Sequence, residues 1–292
     1  MNKHDTYINP FTDFGFKKLF GEDHSKGSLI SFLNDVLPIK HKITKITFSN
    51  SENLGLHIDN RKAVFDISCI DSKNNHFIVE LQNAEQKYFK DRTVFYSTFP
   101  IQKQAKKGST WDYNLDPVYC VGLLGFMFND DTKASKQEEI IKENEYLHVV
   151  KLKDQKNKVF YDKLTYIYIE FPKFHKKESE LTTHLDKWLY FLKNLPLLDS
   201  IPKILKEPVF DMAFETASIA ALSHEEQLQY TRSFLNYSDS VNIVDTALEK
   251  GLKKGAELEQ KKIAINLLKL GIQPEDIAKA TGMTLAQIKT LK

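Results

Sequence analysis

Cysteine is scarce in this 292-residue sequence: there are two, Cys69 and Cys120, and both lie in apolar, strand-like runs. So few give no disulfide framework, and two buried, reduced thiols in a cytosolic protein are the expectation. No Cys-x-x-Cys occurs and the nine histidines are scattered, so nothing spells out a zinc site. Long apolar runs are missing too, which gives no bilayer-spanning segment, and Met1-Asn2-Lys3-His4-Asp5 carries no apolar secretory core. A cytoplasmic protein with no membrane partner is expected. An excess of one charge is also lacking: 41 Lys and Arg against 39 Asp and Glu leave a formal net charge of +2. Any attraction to DNA must therefore come from local patches.

What is present suits an ordinary folded chain, with 41% hydrophobic and 27% charged residues. The length suits one large core with an appended helical piece. Residues 13–37 read as helix in two pieces, broken near 21–26 and stopped by Pro38. Residues 43–49 alternate as a strand, and 63–70 and 76–82 follow as two apolar, β-branched runs joined by a polar turn at 71–75. Residues 84–107 form a long basic and aromatic helix. Lys87, Lys90, Arg92, Lys103, Lys106 and Lys107 interleave there with Tyr88, Phe89, Phe95, Tyr96 and Phe99. Pro100 should kink or break it. Residues 117–128 suit a strand buried on both faces, and 146–152 and 164–171 read as further strands. The strand signal then stops. Helices are expected over 181–194 and 207–218, and a mixed-charge helical stretch over 240–271. A terminal pair has Pro274 opening one helix, Gly282 ending it, and Thr284 with Gln287 as a capping box. The fold class is therefore α/β: a mixed central sheet flanked by helices, with an all-α C-terminal extension. Three parts are expected, over 1–175, 176–239 and 240–292.

The two runs at 63–70 and 76–82 hold the most informative residues. Asp66 sits inside the first and Glu80-Leu81-Gln82 ends the second. A charge within a strand that otherwise looks buried is costly unless it is paired or bound to a cation. Two carboxylates brought together by a hairpin repel, and a divalent metal is a common remedy. By strand alternation Glu80 and Gln82 share a face while Leu81 points into the core. From the spacing alone, a carboxylate at a strand end is more often solvated or salt-bridged than catalytic.

These residues, with two other stretches, resemble the PD-(D/E)XK nuclease superfamily, and more closely its Rpn branch of recombination-promoting nucleases and putative transposases. One stretch runs from Asn9 through Asp13, Lys17 and Phe20 to Gly21; the other is Arg92-x-x-x-Tyr96. The resemblance covers roughly the first 130 residues. It implies a restriction-endonuclease-like core, a DNA endonuclease activity linked to recombination or mobile DNA, and Mg²⁺ (or Mn²⁺) as cofactor. Asp66 and Glu80 would be metal ligands and catalytic residues, with Gln82 beside them. Such a cation lowers the pKa of a bound water and acts as a Lewis acid on the phosphate. Gln82 departs from the superfamily's usual Lys, offers only hydrogen bonds, and leaves the proton acceptor unnamed. The Rpn-like branch commonly shows Gln at this position.

Asp13 and Lys17 lie one helical turn apart. By analogy Asp13 would complete the metal shell; an ion pair or an N-terminal cap explains it as well. Arg92 and Tyr96 share a helical face and suit either a phosphate contact or a cover for the sheet, so Lys17, Arg92 and Tyr96 are the nucleic-acid-binding candidates. The basic, aromatic helix suits a DNA-facing surface. The terminal helix pair resembles a small helix-turn-helix, but its Lys279, Lys289 and Lys292 are few. The tail thus suits oligomer contacts, including a homodimer through the C-terminal helices, better than specific DNA reading. The alternative to an active nuclease is a catalytically weak or inactive DNA-binding or protein-interaction module on the same fold.

Overall fold

Alternating apolar residues in the middle of the chain build a six-stranded sheet, and helices cover both of its faces. The computed structural model describes residues 6–49, 52–53, 63–105, 112–128 and 145–291. Lys106, Lys107, Lys292 and most of the linker after residue 49 lie outside these. The chain divides into two units, Met1–Tyr237 and Ser238–Lys292.

In the first unit, strands β1 (Ile46–Phe48), β4 (Ile67–Asp71), β5 (His76–Gln82), β6 (Val118–Leu124), β7 (Leu147–Lys153) and β8 (Val159–Glu170) take the order β1-β4-β5-β6-β8-β7. The β1, β4 and β5 ladders are antiparallel, β5, β6 and β8 run parallel, and β7 returns antiparallel on β8. A separate two-stranded ladder joins β2 (Glu52–Asn53) to β3 (Ala63–Val64).

The pleat sorts β5 between the two faces. Phe77, Val79 and Leu81 enter the larger core with helices α1 (Asp13–Phe20), α2 (Lys26–Val36), α4 (His184–Asn194) and α5 (Pro208–Ala217). Trp188 of α4 is fully buried there, its ring 4.7 Å from that of Phe210 and 5.8 Å from that of Phe20. Ile78 faces α3 (Phe89–Lys103) across the sheet. The Tyr168 hydroxyl meets that of Thr93 at 2.7 Å and the Tyr166 hydroxyl that of Ser97 at 2.9 Å, which fastens α3 to β8.

Three expectations need correction. The apolar run at 63–70 is not one strand: it bends at Asp66 between β3 and β4. The strand expected over 43–49 shortens to Ile46–Phe48. Helix α3 begins only at Phe89 and continues past Pro100 to Lys103. Pro100 deletes one hydrogen bond in the last turn, where little helix remains to be broken. Both cysteines are buried and free, as expected, and burial pushes the Cys69 thiol up to about 12. No described helix is long and apolar enough to cross a membrane.

Helix α6 runs from His224 to Lys269 and thus starts well before residue 240, where the sequence pattern had placed its beginning. Its first turns belong to the first unit and hold the entry to α1. The Tyr230 hydroxyl accepts from the Asn9 amide at 2.9 Å, and Ser233 Oγ accepts from the Phe14 amide at 3.0 Å. In the second unit α7 (Pro274–Thr281) opens on Pro274 and stops at Gly282, whose φ of 72° suits glycine. Thr284 and Gln287 cap α8 (Leu285–Lys289) as the sequence indicates. Ala264, Ile277, Met283 and Ile288 form the small core of this unit.

Candidate active site

The β4–β5 register pairs Ile67 with Val79, which sets Asp66 beside Glu80 where the first strand bends away. Each carboxylate is held by the other's strand. Asp66 Oδ2 accepts from the Leu81 amide at 2.7 Å, and Glu80 Oε1 accepts from the Asp66 amide at 3.3 Å. The bend at Asp66 thus exchanges a ladder position for a carboxylate locked against the neighbouring backbone. Asp66 is half-buried and Glu80 only 9% exposed.

Both acids are held above their ordinary pKa. For Glu80, burial is the larger cause and the Asp66 charge the next; together they push it up to about 8 against the pull of Arg92, the Asp66 amide and Lys17. For Asp66 burial again leads, opposed by the Leu81 hydrogen bond and reinforced by the charge of Asp13. Among the described residues no Lys, Arg or His forms an ion pair with either acid.

Other buried acids in this fold are treated differently. Glu170 is wholly buried, yet the His148 and Lys173 side chains and the Phe128 amide outweigh that burial and hold its carboxyl below the ordinary value. Asp186, also wholly buried, is held low despite burial by Lys176, Tyr146 and the Thr182 and Thr183 amides. Asp71 is likewise held low against burial, by Asn75, His41 and the Lys73 amide. The fold supplies protein partners to these acids and leaves the Asp66–Glu80 pair short of positive charge.

The remaining sequence candidates gather around this pair. Gln82 lies one strand repeat beyond Glu80, and its amide is engaged at both ends: Nε2 donates to the Ala84 carbonyl at 2.8 Å and Oε1 accepts from Arg92 Nη2. Arg92 also donates to Gln86 Oε1 at 2.7 Å, with its guanidinium 5.6 Å from the ring centres of Phe89 and Tyr96. Tyr96 packs edge-on against Phe65 at 5.2 Å. Arg92 thus bonds to Gln82, and Tyr96 packs on Phe65. On α1, Asp13 and Lys17 form the i,i+4 ion pair at 2.7 Å, both well exposed, while Thr12 caps the helix. Their charges still reach Asp66.

Two residues that hold α1 against the site were not singled out in the sequence. Asn83 Nδ2 donates to the Phe11 carbonyl at 2.7 Å and ties the end of β5 to the loop before α1. Gly15 lets that loop fold back on the helix, since a Cβ there would lie 2.1 Å from the Asn9 carbonyl oxygen. Asn83 follows Gln82 directly, but its partner is 72 residues away, so only the fold reveals the contact.

The family model described as PD-(D/E)XK nuclease family transposase matches residues 10–247. The chain belongs to this family. No match was found among curated proteins or among solved structures. The mixed six-stranded sheet with flanking helices agrees with a PD-(D/E)XK nuclease-like α/β fold. Membership makes the chain a nuclease-type protein of the mobile-DNA kind.

PD-(D/E)XK nucleases generally use divalent metals, and the donor set here can be compared with that habit. Among the described residues no group of three or more His, Cys, Asp and Glu gathers as a metal cage. Two carboxylates are present, and Asp66 Oδ1 and Glu80 Oε2 accept no hydrogen bond from the described residues. Hard oxygen donors with water completing the shell suit Mg²⁺ or Mn²⁺ and not zinc. The residues fit the group.

Proposed function

We propose that this chain is a Mg²⁺- or Mn²⁺-dependent DNA endonuclease in which Asp66 and Glu80 hold the cation. The observation that carries the reading is the contrast among buried acids: Glu170, Asp186 and Asp71 have protein partners that lower their pKa, whereas burial raises both Asp66 and Glu80 and the Asp66 charge raises Glu80 further. The two carboxylates would hold a cation, whose charge would offset theirs and favour loss of the proton that burial retains. When bound, such a cation supplies Lewis acidity toward the phosphate and an activated water.

The protein's own residues orient and balance charge. Asp66 is fixed by the Leu81 amide and Glu80 by the Asp66 amide, so both acids approach from rigid backbone. Gln82 cannot provide the positive charge of the superfamily lysine, and its amide is already spent on Arg92 and Ala84. Arg92 fills that electrostatic role. Its guanidinium acts on both carboxylates, and Gln82, Gln86 and the Phe89 and Tyr96 rings fix its place. On this reading Lys17 adds a second positive charge from α1, and Asp13 tempers it.

A second reading, a DNA-binding module with weak or no catalysis, is favoured by one feature: Gln82 stands where the superfamily usually has Lys, and a neutral amide does not take the water's proton. Supercoiled plasmid decides between them. Nicking by the purified chain with Mg²⁺ or Mn²⁺, absent in EDTA and in a folded Asp66→Ala variant, supports the nuclease. Binding without cleavage under every metal supports the module.

A further inference from the structure

Every residue of α6 from 239 to 263 is exposed, a stretch of about 37 Å of helix at 1.5 Å per residue. In proteins most helical stability comes from packing an amphipathic face, and an exposed helix leaves that contribution unmade. Such a face exists. Val241, Val244, Leu248 and Leu252 recur at spacings of three and four, Ala256 extends the line before Glu259 and Gln260 interrupt it, and Leu248 and Leu252 are 60% and 66% exposed. Gly251 and Gly255 interrupt the helix beside this stripe. Each costs about 1 kcal/mol relative to alanine inside a helix. Among the described residues nothing requires them, since a Cβ at either would meet no atom within 4 Å. Close approach of another helix is the use such glycines serve.

The charge pattern says which helix fits. From 239 to 249 the charged residues are Asp239, Asp245 and Glu249, with no base. From 250 to 262 they are Lys250, Lys253, Lys254, Lys261 and Lys262 against Glu257 and Glu259. One half of the exposed stretch is acidic and the other basic. A parallel pair of identical helices sets like charge beside like, while an antiparallel pair sets each acidic half against a basic one.

We propose that residues 239–263 of α6 pair antiparallel with the same segment of a second copy, about a two-fold axis near residue 250. Leu248 of one copy then lies beside Leu252 of the other, with the glycines at the close approach. The contact is isologous and closes on itself.

Sedimentation equilibrium of the full chain at micromolar concentration tests this. Twice the 33.8 kDa chain mass is expected, and the Leu248→Glu, Leu252→Glu double variant should be monomeric. A spin label on Asn242→Cys should report a separation of about 24 Å, eight residues of helix on either side of the axis; buried Cys69 and Cys120 stay unlabelled. Should the leucine variant lose its helix, charge exchange gives an independent reading. Lys250→Glu, Lys253→Glu, Lys254→Glu in one chain and Asp239→Lys, Asp245→Lys, Glu249→Lys in another should each weaken self-association roughly tenfold or more, and mixing the two should restore it. A monomeric wild type, a dimer indifferent to these changes, or a label separation near the roughly 10 Å of parallel neighbours would overturn the proposal.

Discussion

Glu80→Gln, measured in EDTA, is expected to stabilise this protein at alkaline pH. Burial and the Asp66 charge raise the Glu80 carboxyl from an ordinary 4.5 to about 8 in the fold. A group raised on folding contributes stability that is fully present below its unfolded pKa and lost as pH climbs through the folded one. In the metal-free protein the loss therefore begins near 4.5 and is complete a little above 8. At about 1.4 kcal/mol per pH unit the window corresponds to at most roughly 5 kcal/mol, a penalty that includes the Asp66 charge acting on Glu80. The amide variant carries no charge to expel and keeps an oxygen for the Asp66 amide. Urea unfolding at pH 5, 7 and 9 should show wild type losing ground to the variant by several kcal/mol across this range. Subtracting the two profiles removes the titrating groups that do not interact with Glu80, and leaves its interaction with Asp66 in the difference. Saturating Mn²⁺ should lift wild type and leave the variant nearly unmoved at pH 8, by linkage. Parallel profiles from pH 5 to 9 would refute the reasoning.

Other perturbations follow from named contacts. Arg92→Lys should keep the charge, lose the two-point hold on Gln82 and Gln86, and lower cleavage by roughly tenfold or more while costing about 1 kcal/mol of stability, read in kinetics and denaturation together. Gly15→Ala places a Cβ 2.1 Å from the Asn9 carbonyl oxygen, so the loop before α1 must move; a loss of about 2 kcal/mol or more in Tm-derived stability is expected. Trp188→Ala should cost about 3–5 kcal/mol, since its fully buried ring touches those of Phe20, Phe32, Phe191 and Phe210.

The hairpin that holds the site was legible because its signal is local. Two apolar runs flank a polar turn, and β5 falls at His76–Gln82 as the alternation indicates. The break at Asp66 was hidden inside a run that reads as continuous strand, because its cause is a side-chain bond to the Leu81 amide fifteen residues on. The Arg92–Gln82 contact escaped for the same reason: helical spacing showed that Arg92 and Tyr96 share a face, but not that Gln82 would meet it. Capping chemistry at Gly282 and Thr284 is local and was readable. The start of α6 was local too: Tyr230, Phe234 and Tyr237 recur at spacings of four and three and run on into Val241, so the expectation of a start at 240 was too late.

Calorimetric titration of Mn²⁺ into the metal-free wild type at pH 7, in two buffers of different ionisation enthalpy, bears most directly on the claim that Asp66 and Glu80 exchange a proton for a cation. The account predicts one site per chain and release of about one proton per ion, both lost in Glu80→Gln. Binding without proton release, or equal binding by the variant, would contradict it.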